Sequence, residues 1–214
     1  MTRVGVCLSG CGMHDGSEVH EATLTLLFLD KAGAEIVCLA PDIDQCDVIN
    51  HITGRPENGK RRVIAEAARI ARGNIRDIKQ VTAGDLDALI FPGGVGAAKN
   101  LTDYYSKGAD LTVEPEVARL VTEMHAAGKP LGFICISPVI GAKVLGAAVT
   151  FGSDRDTAAA IVKMGGTHAE RPVGEIMFDE KNRVVSTPAY MMTSRIAEIA
   201  VGIEKLVNKV LALA

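Results

Sequence analysis

Cys135 stands at the end of an apolar run, Leu131-Gly132-Phe133-Ile134-Cys135-Ile136-Ser137-Pro138. The run reads as a buried strand. Pro138 opens a segment, with Ala142-Lys143-Val144-Leu145 beyond it, that reads as a helix. A residue pinned between strand end and helix start sits on a sharp turn, with its side chain held at the carboxyl edge of the sheet. That is the geometry of a nucleophile elbow, here with cysteine in the serine's place. Backbone N–H groups near a helix N-terminus favour thiolate over thiol, so a lowered thiol pKa is expected. A buried cysteine without chemistry would also suit such a run.

A nucleophile needs a proton partner and donors for a developing oxyanion. Phe91-Pro92-Gly93-Gly94-Val95-Gly96-Ala97-Ala98 follows a strand-like run, and glycines there let backbone N–H groups turn into a pocket. The N–H groups of Gly94 and Ile136 would make a donor pair. Glu18 and Glu21 lie three apart on the opening turns of a helix, so both project on roughly the same face. An ionised carboxylate would repel a thiolate. The pair works only if burial keeps the carboxyl protonated, so that one proton is shared. Helix dipoles also favour acidic residues in a first turn, which leaves open which of the two touches the sulfur.

Other candidates carry less. His20 adjoins Glu21 on a different helix face, His14 lies in the first glycine-rich loop, and Cys11 in that loop could resolve Cys135 or line the pocket. His51, His125 and His168 show no ligand spacing, so no metal site is expected. Gly10, Gly12 and Gly16 followed by Asp42 resemble a dinucleotide fingerprint, but the spacing is off and Asp15 and Glu18 would face the pyrophosphate. No cofactor is expected.

The elements that must position these residues alternate. Strands are expected at Arg3–Leu8, Glu35–Ala40, Asp47–Ile52 (short), Leu86–Phe91 and Leu131–Ile134. Ile176–Phe178 and Val184–Ser186 read as a hairpin. Helices are expected at Glu18–Ala32, Arg61–Arg72, Pro115–Ala127, Ala158–Met164 and Ser194–Leu213. Such alternation means an α/β fold of a single domain over 1–214, a mostly parallel sheet wound on both sides by helices. Sites in such sheets lie at strand carboxyl ends. Residues 9–17, 92–98 and 135–138 fall there.

The 214 residues are 48% hydrophobic, enough to cover both sheet faces. Without tryptophan, with 4% aromatics and a net charge of −3, no nucleic-acid partner is expected. The apolar runs are too short for a bilayer, and the N-terminus reads as a strand, not a signal segment. Five cysteines without a CxxC pair suggest free thiols in a reducing compartment, and a cytoplasmic protein is expected.

Together, the segments Leu8–Glu21, Asp47–Gly54, Pro92–Asn100, Cys135–Pro138 and Thr187–Tyr190 resemble the ThiJ/PfpI group of the class I glutamine amidotransferase-like superfamily, in particular its ElbB type, named for enhancing lycopene biosynthesis. The resemblance implies a flavodoxin-like three-layer α/β/α sandwich and a homodimer. It implies Cys135 as nucleophile, Glu21 as acidic partner with Glu18 in reserve, and Gly94 and Ile136 as oxyanion donors. The sequence also departs from relatives. Thr187-Pro188-Ala189 replaces the His-Pro-Glu of amidotransferases, and Ile136 replaces the histidine after the peptidase cysteine. Thr150–Asp154 lacks the histidine found beyond the elbow in many relatives. Without an imidazole to protonate a leaving amine, amide hydrolysis is not expected. A thiol, an acid and a donor pair in a small polar pocket suit an aldehyde. The expected reaction is a cofactor-independent glyoxalase, taking glyoxal, and other small 2-oxoaldehydes more weakly, to hydroxy acids such as glycolate through a Cys135 hemithioacetal. The alternatives are a redox-sensing or protective cysteine protein, and a decayed binding module linked to isoprenoid metabolism.

Overall fold

The computed structural model describes residues 1–192 and 195–214. In chain order come β1 (Arg3–Cys7), α1 (Val19–Lys31), β2 (Glu35–Ala40), β3 (Ile49–Asn50), β4 (Arg55–Pro56), α2 (Val63–Ile70), β5 (Arg76–Asp77) and β6 (Ala88–Phe91). Then follow α3 (Val95–Lys99), α4 (Tyr104–Lys107), α5 (Pro115–Ala126), β7 (Leu131–Ile134), α6 (Pro138–Leu145), β8 (Ala148–Val149) and α7 (Arg155–Lys163). The chain closes with β9 (Thr167–His168), β10 (Met177–Asp179), β11 (Val184–Thr187) and α8 (Ile196–Leu213). The expected start of the last helix at Ser194 lies outside the described residues.

Seven strands form the central sheet in the order β10-β11-β7-β6-β1-β2-β5. All pairings are parallel except β10 with β11, the expected hairpin at one edge. Side-chain alternation builds two cores. Leu89, Phe91, Leu131 and Phe133 point to the face covered by α5 and α6, where the Phe91 and Phe133 rings stack with centroids 5.1 Å apart. Val4, Val6, Ile90 and Ile134 point to the face covered by α1, α2 and α8. Both β6 and β7 are buried throughout, as strands covered on two sides must be. This is the three-layer sandwich that the alternation predicts.

One strand expectation is corrected. Asp47–Ile52 does not enter the main sheet: only Ile49–Asn50 is extended, and it pairs antiparallel with Arg55–Pro56 in a separate ribbon. The intervening turn is held by Asn50, whose Oδ1 accepts from the N–H groups of Ile52 and Thr53. Among the described residues no helix is long and apolar enough to cross a membrane.

Candidate active site

The carboxyl ends of β1, β6, β7 and β11 converge on Cys135. Its φ is +62°, in the left-handed region that costs a non-glycine residue about 1–2 kcal/mol. Two hydrogen bonds impose it. The Cys135 N–H donates to Thr187 O (3.0 Å) at the end of β11, and Ser137 N–H donates back to Ile134 O (3.1 Å). The Ser137 hydroxyl completes the turn. It accepts from Ile134 N–H (2.8 Å) and gives its proton to Phe91 O (2.8 Å) or Ile134 O (2.9 Å), tying β7 to β6. Ser137 is a residue that the sequence reasoning misses, although its place two residues after the cysteine, at the N-cap of α6, is a signal that could have found it.

Glu21 is fully buried and in hydrogen-bond contact with Cys135. Its Oε2 accepts from Gly93 N–H (3.0 Å) and its Oε1 from Tyr190 N–H (3.3 Å). Burial, then the charge of Glu18, pushes its carboxyl up to about 8. Glu18 is engaged differently. It is the N-cap of α1, its Oε2 accepting from Glu21 N–H (2.7 Å). The two carboxylates left open by the sequence are thus separated, one on the sulfur and one on the helix end.

The thiol departs from the expected lowering. Burial and the Glu21 carboxylate push Cys135 well above its ordinary value, while N–H groups of Gly94 and Ile136 donate to the sulfur and pull it back. The Glu21 contribution acts only while that carboxyl is charged. At neutral pH the carboxyl, held up near 8, keeps a proton and turns from repelling partner into donor. The thiol, raised as well, keeps its own proton there, and the buried pair comes down to one proton as the carboxyl titrates near 8.

Glycines make that proximity possible. A Cβ on Gly93 would lie 2.4 Å from the Cys135 Cβ and 2.5 Å from Glu21 Oε2. Gly94 has φ +97°, and a Cβ there would meet the Glu18 backbone nitrogen at 2.3 Å. The donor pair Gly94 and Ile136 therefore flanks the sulfur because residues 16–18 press against residues 93–96. Gly96 N–H bonds Gly16 O (2.9 Å) and Glu18 N–H bonds Gly93 O (2.9 Å).

Cys135 opens onto a pocket of about 300 Å³. The three tyrosines of the chain, Tyr104, Tyr105 and Tyr190, all line it, with Met13, Val95 and Met191. Its wall is mainly apolar, which corrects the expectation of a small polar pocket. Aromatic residues are scarce in this chain, yet the tyrosines collect here from α4 and from the 3-10 turn after β11, side chains to which the sequence reading assigns no role. His20 reaches over from α1: its Nδ1 hydrogen-bonds Tyr190 OH (2.8 Å) and lies 4.0 Å from Glu18 Oε1. Burial and the charges of Glu18 and Glu21 push the Tyr190 phenol up.

The weaker candidates fall elsewhere. His14 packs its ring on His51, centroids 5.0 Å apart, and Met13 is the residue of that loop that lines the pocket. Cys11 does not line it either; its thiol neighbours Arg69, Glu66 and Asp15. The first glycine loop closes on itself through Gly12 N–H to Ser17 O (2.9 Å) and Gly16 N–H to Gly12 O (2.7 Å). Asp15 accepts from Ile49 N–H (2.8 Å) and Asp42 pairs with Arg62. Among the described residues no three His, Cys, Asp or Glu side chains gather as a metal-binding group. The Thr187 hydroxyl donates to Glu175 O (3.0 Å).

No protein-family model matches the chain. It is 46% identical over 222 residues to human "Glutamine amidotransferase-like class 1 domain-containing protein 3, mitochondrial", covering 99% of this chain and 83% of that protein. The crystal structure of an isoprenoid biosynthesis protein with amidotransferase-like domain from Ehrlichia chaffeensis superposes with a TM-score of 0.93 at 34% identity, over 100% of this chain and 99% of that one. A DJ-1 superfamily protein from Agrobacterium tumefaciens, 19% identical, shares the fold with a TM-score of 0.60 over 100% and 92% of the two chains. The expectation of a cytoplasmic protein is overturned. The human relative and the ES1 proteins of rat and zebrafish are all named mitochondrial, which points to mitochondria instead.

Proposed function

Because the chain belongs to the glutamine amidotransferase-like class 1 family that includes the ES1 proteins, we propose that its cysteine site is catalytic and that it acts on dicarbonyl compounds as a glutathione-independent glyoxalase. One observation carries the reading. Cys135 faces a pocket with two N–H donors on its sulfur and a protonated, buried carboxyl beside it, and among the described residues no histidine lines that pocket. Adding a thiol to an aldehyde needs those parts and no leaving group.

In the first step the thiol passes its proton to the ionised form of Glu21 and the sulfur bonds to an aldehyde carbon; Glu21 hands that proton to the carbonyl oxygen, giving a hemithioacetal. The N–H groups of Gly94 and Ile136 stabilise the oxygen as charge develops; one such donor contributes about 3 kcal/mol. The Glu21 carboxylate, having given up its proton, removes the hydrogen from that carbon to form an enediolate and returns it to the neighbouring carbon, while the hemithioacetal hydroxyl proton passes to the neighbouring oxygen. One carbon is oxidised and the other reduced, so no external oxidant enters. The product is a thioester of a 2-hydroxy acid. Water then adds to its carbonyl, the C–S bond breaks, and the sulfur takes up the proton of the newly formed carboxylic acid. The Tyr190 hydroxyl and His20 serve this last step as a relay, the water proton passing to the phenol oxygen as the phenol proton passes to His20 Nδ1, and the exposed His20 releasing it to solvent.

The test is direct. Purified protein given glyoxal without glutathione forms glycolate, and Cys135→Ser does not; equal glycolate from both would end the proposal. A redox-sensing role fits less well, since Cys135 is only 8% exposed and oxidation favours accessible thiolates.

A further inference from the structure

We propose that the pocket beside Cys135 is built for carbonyl compounds that carry an apolar substituent, alkyl or aryl, in preference to glyoxal. The inference rests on the glyoxalase reading and reverses the substrate order expected from the sequence.

Three observations support it. The first is size. A pocket of about 300 Å³ holds roughly ten water-sized groups. Glyoxal, with two carbons and two oxygens, fills less than half of it. The second is the wall. Apart from Glu18 and Cys135 at the reacting end, each side chain lining the pocket is aliphatic, aromatic or a thioether. A hydroxylated or anionic substituent placed there would lose its water without gaining a partner. The third is the direction of the tyrosines. The Tyr104 hydroxyl is engaged with the Thr157 side chain. The Tyr190 hydroxyl is engaged with His20 on the Glu18 side. Tyr105 carries the Lys99 ammonium over its ring, 4.3 Å from the centroid. With the Tyr104 and Tyr190 hydroxyls taken up by protein partners, these two rings offer a ligand apolar surface. Such a wall selects by buried apolar area, one increment for each carbon.

The experiment is a series of 2-oxoaldehydes of increasing alkyl length, from methylglyoxal to 2-oxohexanal, with glyoxal as reference and Cys135→Ser as control. We expect kcat/KM of the unaltered protein to rise by roughly fourfold per added methylene until the pocket is full. Ala98→Leu, which extends a buried wall residue into the cavity, flattens the rise for the longest members. Cys135-dependent turnover that stays flat or falls with length overturns the inference and leaves the glyoxalase reading in place. A second measurement covers the opposite case. Unreactive amides of the same lengths are tested for protection of Cys135 against iodoacetamide. Protection that grows with chain length, without turnover of any dicarbonyl, refutes the reaction but supports the apolar site. Protection independent of length refutes the site.

Discussion

The two ends of the pocket are built on opposite principles. At the sulfur end each reacting side chain is held by more than one partner: Glu21 by two backbone N–H groups and the thiol, and Cys135 by Gly94, Ile136 and Glu21, on an elbow tied down by Ser137. At the far end the wall is made of side chains that touch a ligand only through apolar surface. Fixed donors in a dry site act strongly on a transition state and tolerate little displacement. Apolar contact is non-directional and grows with area. The sulfur end should therefore set whether a reaction occurs, and the far end which molecule undergoes it. Substitutions can separate the two.

The largest effect belongs to the sulfur. Cys135→Ser keeps the shape of the elbow and removes the nucleophile, and dicarbonyl turnover is expected to fall at least about a thousandfold. The far end should remain intact. Thermal melting near that of the unaltered protein, with loss of activity, would match this division. A variant that melts far lower would show that the two ends are coupled through the fold.

Glu21→Gln comes next. It preserves size and removes the carboxyl proton, and kcat should fall by about a hundredfold or more. The same substitution has a signature in stability that does not depend on any substrate. Glu21 is raised in the folded protein, from an ordinary 4.5 to about 8. The folded state therefore binds more protons than the unfolded state between those values. The stability of the unaltered protein is full below about pH 4.5 and is lost as pH rises through about 8. The loss attributable to this group is of the order of a few kcal/mol. In Glu21→Gln that slope disappears. Urea denaturation at pH 5, 6.5 and 8 would read it, and parallel pH dependences in both proteins would contradict the raised carboxyl.

Tyr190→Phe lies where the ends meet. It keeps the ring in the wall and removes the hydroxyl held by His20. Hydrolysis of the thioester should slow by roughly tenfold to a hundredfold while its formation stays fast. The expected sign is a hydroxylamine-sensitive adduct that builds up on Cys135 during turnover. Unchanged steady-state rates without an adduct would remove Tyr190 and His20 from the reaction and leave the phenol as wall.

The same division explains what is legible in the sequence. The elbow is local: strand, cysteine, serine and proline fall within eight residues, so β7 and the start of α6 lie where the sequence predicts them. The glycines at 93 and 94 signal close approach, and the alternation of elements places three loops at one sheet edge. The far wall has no such signal. Met13, Tyr104, Tyr105, Tyr190 and Met191 come from segments far apart in sequence, and a methionine or tyrosine reads as core or surface with equal ease. Helical spacing assigns His20 to another face of α1 and says nothing of its partner, which lies 170 residues away. The thiol pKa departs from expectation for a related reason. The N–H groups of Gly94 and Ile136 lower it locally, but burial outweighs them. The expected location fails because cysteines report redox state and do not distinguish one reducing compartment from another.

Glu18 carries the smallest effect, and it tests whether the two carboxylates are divided as the geometry has them. Its side chain caps α1 by accepting from Glu21 N–H, and it raises the Glu21 carboxyl through charge alone. Glu18→Gln keeps a side-chain oxygen at the cap and removes the charge. Stability should change by only a few tenths of a kcal/mol, and the pH above which the unaltered protein loses stability should move down, because Glu21 has lost a like-charged neighbour. Glu18→Ala removes the cap as well and should cost about 1 kcal/mol more. Both variants keep the thiol, the donor pair and Glu21, so both should retain turnover within roughly tenfold of the unaltered protein. A loss in Glu18→Gln as deep as that in Glu21→Gln would mean that the helix cap is also an acid of the reaction. The sulfur end would then extend past the sulfur to the rim, where Glu18, His20 and Tyr190 meet.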